Sequence, residues 1–264
     1  MLSTILALLF RSAGRGARRM SWTRAAWPSL FLWIVVAPPA VSQGAAVPSV
    51  APAARSAAAP APSVAPGTAA AADGERPAIV VLGDSLSAGY GIRVEEGWVA
   101  LLAERLRAQG YGYRVVNASV SGETTGGALA RLPRVLKAHR PAIVLVELGG
   151  NDGLRGLPVQ EMRGNLDRIV AACRATGAAV LVLGMRIPSN YGPKYTAEFA
   201  DAFGAVARAH GAALVPFLLA GVADDERNFQ PDRIHPVAAV QPRLLDTVWR
   251  TLAPLLARGA ARRG

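Results

Sequence analysis

Five short apolar runs rich in β-branched residues recur along the chain: "AIVVL" (78–82), "YRVVNAS" (113–119), "AIVLVEL" (142–148), "AAVLVLG" (178–184) and "AALVPF" (212–217). Between them lie segments of helical period, near 96–109, 124–138, 158–176, 195–210 and 237–256. Strands that are apolar throughout, rather than at every second position, are buried on both faces. Their alternation with helices predicts an α/β chain, a three-layer αβα arrangement with about five parallel strands. Ligands in such sheets sit beyond the carboxyl ends of the strands. Chemistry is therefore expected in the residues that follow each run.

Those residues are polar and small. The first run is followed by Gly83-Asp84-Ser85, the second closes into Asn117-Ala118-Ser119-Val120-Ser121-Gly122, and the third is followed by Gly149-Gly150-Asn151-Asp152. Before the last helix stands "PDRIHP", with Asp232 and His235. The exit "GDSLSAGYGI" (83–92) lets the backbone approach something closely, and a phosphate is the first candidate. A P-loop needs Lys and then Ser/Thr after its last glycine, but Ile92 and Arg93 stand there; a dinucleotide fingerprint from Gly89 needs glycine or alanine where Val94 stands. Both nucleotide readings fail.

A nucleophile fits better. Ser85 at a strand-to-helix turn presents its Oγ and its own N–H at the sheet edge, although Ser87 in place of glycine departs from the G-x-S-x-G elbow. Turn serines are commonly caps alone, so Ser85 needs a base. Of three histidines, His139 reads as a solvated helix end and His210 as a helix C-terminal residue favoured by the dipole. His235 follows Asp232 by three residues, a spacing that lets a carboxylate reach Nδ1 and leaves Nε2 for the nucleophile. Asp232 alone reads equally well as an N-cap; a serine on the same sheet edge favours the triad. Gly122 N–H, the Asn151 amide and Ser85 N–H can form an oxyanion hole. Taken singly, Gly122 and Asn151 also read as turn residues. Asp84 and Asp152 are read as braces for these loops.

These residues resemble the SGNH, or GDSL, hydrolases: Ser85 in "GDSLS", Gly122, Asn151 in "GGND" and His235 in "DRIHP". The resemblance is closer still to the bacterial periplasmic branch described as acyl-CoA thioesterases, arylesterases and lysophospholipases. The segments "DSLSAGYG", "VNASVSGET", "LARLP", "VLVELGGNDGLRG", "NYGPKY" and "IHP" occur in order over residues 78–256. It implies a flavodoxin-like five-stranded sheet and Ser85–His235–Asp232 acyl-enzyme hydrolysis of esters and thioesters, with no cofactor and no metal. Implied partners are small-molecule or lipid ester substrates of a monomer. An acyl groove is expected between loops 153–158 and 188–195, at Gly153, Leu154, Leu157, Pro158, Tyr191 and Tyr195. One departure is Arg233, where close members carry glycine between the Asp and the His. The same blocks would serve a carbohydrate O-acetylesterase. A catalytically silent, envelope-tethered binding domain is the alternative from another class.

The rest of the chain bears on location. "RSAGRGARR" (11–19), then "AAWPSLFLWIVVA" (25–37), then small residues around Ala40-Val41-Ser42, give the basic–apolar–small order of a secretory signal peptide over 1–42, with Met20 an alternative start. This stretch of thirteen positions falls short of the ~20 that span a bilayer, so a periplasmic or secreted protein is expected, anchored only if uncleaved. Residues 43–76 are an Ala/Pro-rich linker, 77–257 the hydrolase domain and 258–264 a basic tail. The net charge of +11 is split between these parts: seven Arg against two acids in 1–76, and 22 basic against 16 acidic residues beyond. Without a basic run interleaved with aromatics, nucleic acid is not an expected partner. Peripheral contact with phospholipid headgroups is compatible with this charge. The one cysteine, Cys173, excludes an intrachain disulfide and reads as a buried thiol.

Overall fold

A computed structural model describes residues 76–261. The expected signal peptide, all of the linker but Arg76, and the last three residues of the basic tail lie outside the described residues. Five parallel strands, β1 (Ala78–Gly83), β2 (Arg114–Asn117), β3 (Ile143–Glu147), β4 (Ala179–Leu183) and β5 (Ala213–Val215), pair in the order β2-β1-β3-β4-β5. This is the flavodoxin-like order, whose direction reverses between β1 and β3. The register places Ile79 beside Val115 on one side and Ile143 on the other, and Gly83 beside Glu147 at the carboxyl end.

Burial explains the composition. Every residue of β1 and β3 is buried, whereas β2 and β5, at the edges, are only partly so. β5 stops before Pro216, which has no N–H to offer the ladder. Helices α1 (Ser85–Ala88), α2 (Trp98–Ala108), α3 (Thr125–His139), α4 (Gly150–Leu154), α5 (Val159–Ala175), α6 (Pro193–His210) and α7 (Gln241–Ala261) complete the domain. α2 packs against α7 on one face of the sheet; α3, α5 and α6 pack in succession on the other. Fully buried Trp98 and Leu102 turn α2 inward, and Trp98 N donates to Gln241 Oε1 at 3.1 Å, tying it to α7. Truncating Leu102 to alanine in such a layer costs about 2–5 kcal/mol.

The sequence places the five long helices to within a few residues but not α1 and α4. At four and five residues, these are too short to show a period. The last helix begins at Gln241, not 237, because a 3-10 turn at Ala238–Val240 precedes it, and it runs to Ala261, into the segment read as tail. Among the described residues no helix is long and apolar enough to cross a membrane. Cys173 is fully buried, and burial pushes its thiol up to about 12, so it is inert at neutral pH.

Candidate active site

β1 ends at Gly83, and the chain turns at once into α1. Asp84 caps this helix: its side chain accepts from Leu86 N at 3.1 Å. The cap turns the chain sharply at the strand end, leaving Ser85 in the wall of the cavity above the sheet. Ser85 Oγ lies 2.8 Å from His235 Nε2, and His235 Nδ1 lies 2.7 Å from Asp232 Oδ2. These three residues, drawn from opposite ends of the domain, form one hydrogen-bonded line.

Asp232 belongs to no helix. Its Oδ1 accepts from Ile234 N at 2.9 Å and His235 N at 3.0 Å, a side-chain turn that presents the ring from a loop. Burial pushes its carboxyl up, but the hydrogen bonds from the His235 backbone and ring and from Ile234 outweigh this and hold it down at about 2. The N-cap reading of Asp232 is thus replaced by an Asx turn. Arg233, between Asp232 and His235, takes φ 58, a left-handed conformation that glycine adopts freely and arginine does not. Tyr90 lies over the His235 ring, with centroids 4.4 Å apart. Gln230 joins the two loops, donating to Tyr90 O at 2.8 Å and Pro236 O at 3.2 Å. A side chain on Gly91 would lie 2.0 Å from Gln230 Oε1, so the close approach in the glycine loop is to this bridge.

The oxyanion candidates converge from β2 and β3. Gly122 sits at φ 79, and neither its N–H nor that of Ser85 is taken up by a turn or loop hydrogen bond. Asn151, in α4, donates from Nδ2 to Asp84 Oδ2 at 3.2 Å. Ser85, Gly122, Asn151 and His235 all line one cavity of about 890 Å³. Asp152 braces as expected, accepting from Thr125 N at 2.9 Å and Thr125 Oγ1 at 2.6 Å, which locks the loop after β2 to α4. Arg155 Nη2 donates to Gly122 O at 2.9 Å.

Of the residues expected at the acyl groove, one lines this cavity. Leu154 lines the cavity; Gly153, Leu157, Pro158, Tyr191 and Tyr195 do not. Gly153 is buried with the Phe199 ring where its side chain would be. Both tyrosines spend their hydroxyls on the neighbouring loop, Tyr191 on Leu154 O at 2.7 Å and Tyr195 on Leu157 O at 2.6 Å. The apolar lining instead comes from Met185, Ile187 and Pro188 after β4 and from Phe217, Leu219 and Phe229 after β5. The remaining histidines stand apart: His139 ends α3, and His210 Nε2 meets Asp167 Oδ1 at 2.7 Å.

The sequence reading passed over Glu147. It is fully buried at the end of β3, where its Oε2 accepts from Ser87 Oγ at 2.6 Å and from Asp84 N at 3.3 Å. Its signal was present: a single acid inside the apolar run "AIVLVEL". Burial, reinforced by the Asp84 charge, pushes Glu147 well above the ordinary glutamate range. Burial likewise pushes Asp84 up to about 6, against the pull of its hydrogen bonds to Leu86 N and Asn151 and of the His235 charge.

Residues 81–241 match the family described as GDSL-like lipase/acylhydrolase. The chain belongs to this family. It is a carboxylic ester hydrolase. An esterase named TesA from Pseudomonas aeruginosa is 53% identical over 178 residues, 67% of this chain and 89% of the relative. A thioesterase 1/protease 1/lysophospholipase L1 from Escherichia coli K12 is 41% identical over 188 residues, 71% of this chain and 87% of the relative. The crystal structure of the psychrotrophic esterase EstA from Pseudoalteromonas sp., inhibited by monoethylphosphonate, is 40% identical with a TM-score of 0.66, covering 68% of this chain and 98% of that one. The strand order reverses direction between β1 and β3, and Ser85 and Asn151 follow these two strands.

Proposed function

We propose that this GDSL hydrolase cleaves aryl esters, acyl thioesters and lysophospholipids through an acyl-enzyme on Ser85. The observation that carries the mechanism is the hydrogen-bonded line Ser85–His235–Asp232, at 2.8 and 2.7 Å. His235 Nε2 takes the Ser85 proton as Oγ bonds to the acyl carbon, and the carbonyl becomes an oxyanion facing Ser85 N–H, Gly122 N–H and Asn151 Nδ2. The tetrahedral species collapses with cleavage of the bond to the leaving oxygen or sulfur, which receives the proton from His235. Water then attacks the acyl-enzyme with His235 as base, and Ser85 leaves with that proton. Asp232 stays ionised, holding the tautomer and balancing the imidazolium.

The acyl chain is read as lying along Leu154, Met185, Ile187 and Phe229, an apolar stretch that gains only ~0.8 kcal/mol per buried methylene. Rate should therefore rise by no more than about fourfold per carbon, with a broad range of leaving groups. Relatives named as a thioesterase/lysophospholipase and an arylesterase support this breadth over acetyl-sugar specificity. The test is kcat/KM for p-nitrophenyl esters of increasing length, acyl-CoA, lysophosphatidylcholine and acetylated xylooligosaccharides. A strict preference for acetyl sugars overturns the substrate reading, and wild-type hydrolysis by Ser85→Ala overturns the mechanism. Export is inferred from the basic–apolar–small order of residues 1–42. N-terminal sequencing of the native protein should begin between Gln43 and Val47, and a product retaining Trp27 contradicts it.

A further inference from the structure

We propose that Glu147 is a positioning residue of the oxyanion hole, acting through Asp84 on the Asn151 amide. This rests on the reading of Asn151 as an oxyanion donor. The geometry is a short buried relay. Asn151 Nδ2 is held by Asp84 Oδ2 at 3.2 Å. Asp84 is itself held from below, its N–H donating to Glu147 Oε2 at 3.3 Å, and that oxygen also accepts from Ser87 Oγ at 2.6 Å. Ser87 in turn is fixed through its carbonyl, which accepts from Asn117 Nδ2 at 2.7 Å. The strand register puts Gly83 directly beside Glu147, so the acid stands under the first residues of the nucleophile turn.

Two buried carboxyls this close cannot both carry charge in a low-dielectric site. Asp84 is 2% and Glu147 0% exposed, and the Asp84 N–H donates to Glu147 Oε2, while Glu147 Oε1 has no hydrogen-bond partner among the described residues. One of the two therefore keeps its proton. Burial pushes Glu147 well above the ordinary glutamate range and Asp84 up to about 6, so near neutral pH the charge resides on Asp84. That charge is what orients Asn151. An ionised Asp84 can only accept, so Asn151 must present Nδ2 to it; the second hydrogen on that amide is then directed by the planar group, not free to rotate. A protonated Asp84 could instead donate to Asn151 Oδ1, flipping the amide and removing the donor from the cavity. The titratable groups facing this pair are Asp84, Glu147 and, from the loop opposite, His235.

The role is thus distinct from packing. A purely structural Glu147 would affect stability; a positioning Glu147 alters kcat and its pH dependence while KM stays put. Glu147→Leu removes the acceptor of Asp84 N–H and Ser87 Oγ and leaves Asp84 in a more apolar site, which disfavours its anion. Its expected effect is a fall in kcat on the order of tenfold, part of the 10²–10³ assigned to an oxyanion donor. KM should change little, and the acid limb of kcat should move to higher pH. Glu147→Gln keeps an acceptor for Asp84 N–H and Ser87 Oγ, and should recover kcat to within about threefold of wild type.

The experiment measures kcat, KM and pH profiles of E147L, E147Q, D84N and N151A on a short p-nitrophenyl ester, with S85A as the baseline. Support is E147L slowed with its acid limb raised, E147Q recovered, and the effect of E147L absent when added to N151A. Three results overturn it: E147L altering melting temperature alone, E147Q as slow as E147L, or E147L losses that persist undiminished on N151A. Should E147L fail to fold, D84N carries the test. It must slow kcat at constant KM and add nothing to N151A; additive losses overturn the relay. If N151A itself costs nothing, the oxyanion reading fails and the relay with it; if N151A is slow and E147L is not, only the relay fails.

Discussion

The two sides of the proposed catalytic centre are held by different means. The nucleophile side, Ser85 with Asn151, stands on the carboxyl ends of β1 and β3, the two fully buried strands, over the buried polar groups of Asp84, Ser87 and Glu147. The base side, His235 with Asp232, stands on a loop between β5 and α7, organised by one exposed Asx turn, an arginine at positive φ and the bridge from Gln230. The first gains rigidity from burial and pays in desolvated acids; the second keeps its carboxylate near water, where it stays ionised without help. A nucleophile and its oxyanion donors must hold sub-ångström geometry. The base only has to reach the nucleophile, and a hydrogen-bonded turn is enough for that.

This contrast can be broken or sharpened by substitution, the largest effects being expected on the buried side. Asn151→Ala should lower kcat on the order of 10² to 10³ with KM nearly unchanged, since the amide meets only the developing oxyanion. A rise in KM at constant kcat would make Asn151 a substrate-binding group. Asp232→Asn should cost less than the ~10⁴ typical of a buried triad aspartate, because water can take over part of its role at 36% exposure. A larger loss than for Asn151→Ala would reverse the comparison. Since Asp232 is depressed to about 2, its contribution is present above its unfolded value and is lost only as pH falls through about 2. The acid limb of activity near neutrality therefore does not belong to Asp232.

Smaller effects test the groove and the turn. Ile187→Asp should flatten the rise of kcat/KM with acyl length while sparing acetyl ester hydrolysis, whereas Tyr195→Phe, which removes only the hydrogen bond to Leu157 O, should change stability by about 1 kcal/mol and leave that dependence intact. An equal flattening by both would return the groove to loops 153–158 and 188–195. Arg233→Gly should relieve a left-handed strain of about 1–2 kcal/mol and lose about 0.5–1 kcal/mol to the freer unfolded chain. The net is a small gain in melting temperature, and a fall would show that the arginine side chain stabilises the loop.

The sheet was legible because apolar runs without alternation admit few other structures, and the polar sets at strand ends followed from it. Ser85, Gly122, Asn151 and the Asp232–His235 pair come together as their positions on one sheet edge suggested. Glu147 was missed because a strand-length apolar pattern hides one acid, and nothing local shows that Ser87 and Asp84 lie above it. Tyr90 and Gln230 were missed for a related reason: they meet His235 and Tyr90 across about 140 residues of chain. The loop tyrosines read as apolar surface in the sequence, while the fold commits their hydroxyls to backbone carbonyls.

The central claim is that Ser85 is the atom acylated, and covalent trapping tests it most directly. The Pseudoalteromonas esterase is inhibited by monoethylphosphonate, so a p-nitrophenyl ethyl phosphonate is a suitable probe, its phosphorus taking the place of the acyl carbon. Peptide mass spectrometry after inactivation should find one ethylphosphonyl group, on Ser85, with Ser85→Ala unlabelled and inactive. A label on Ser87, Ser119 or Ser121, or inactivation of Ser85→Ala at the wild-type rate, would contradict the account.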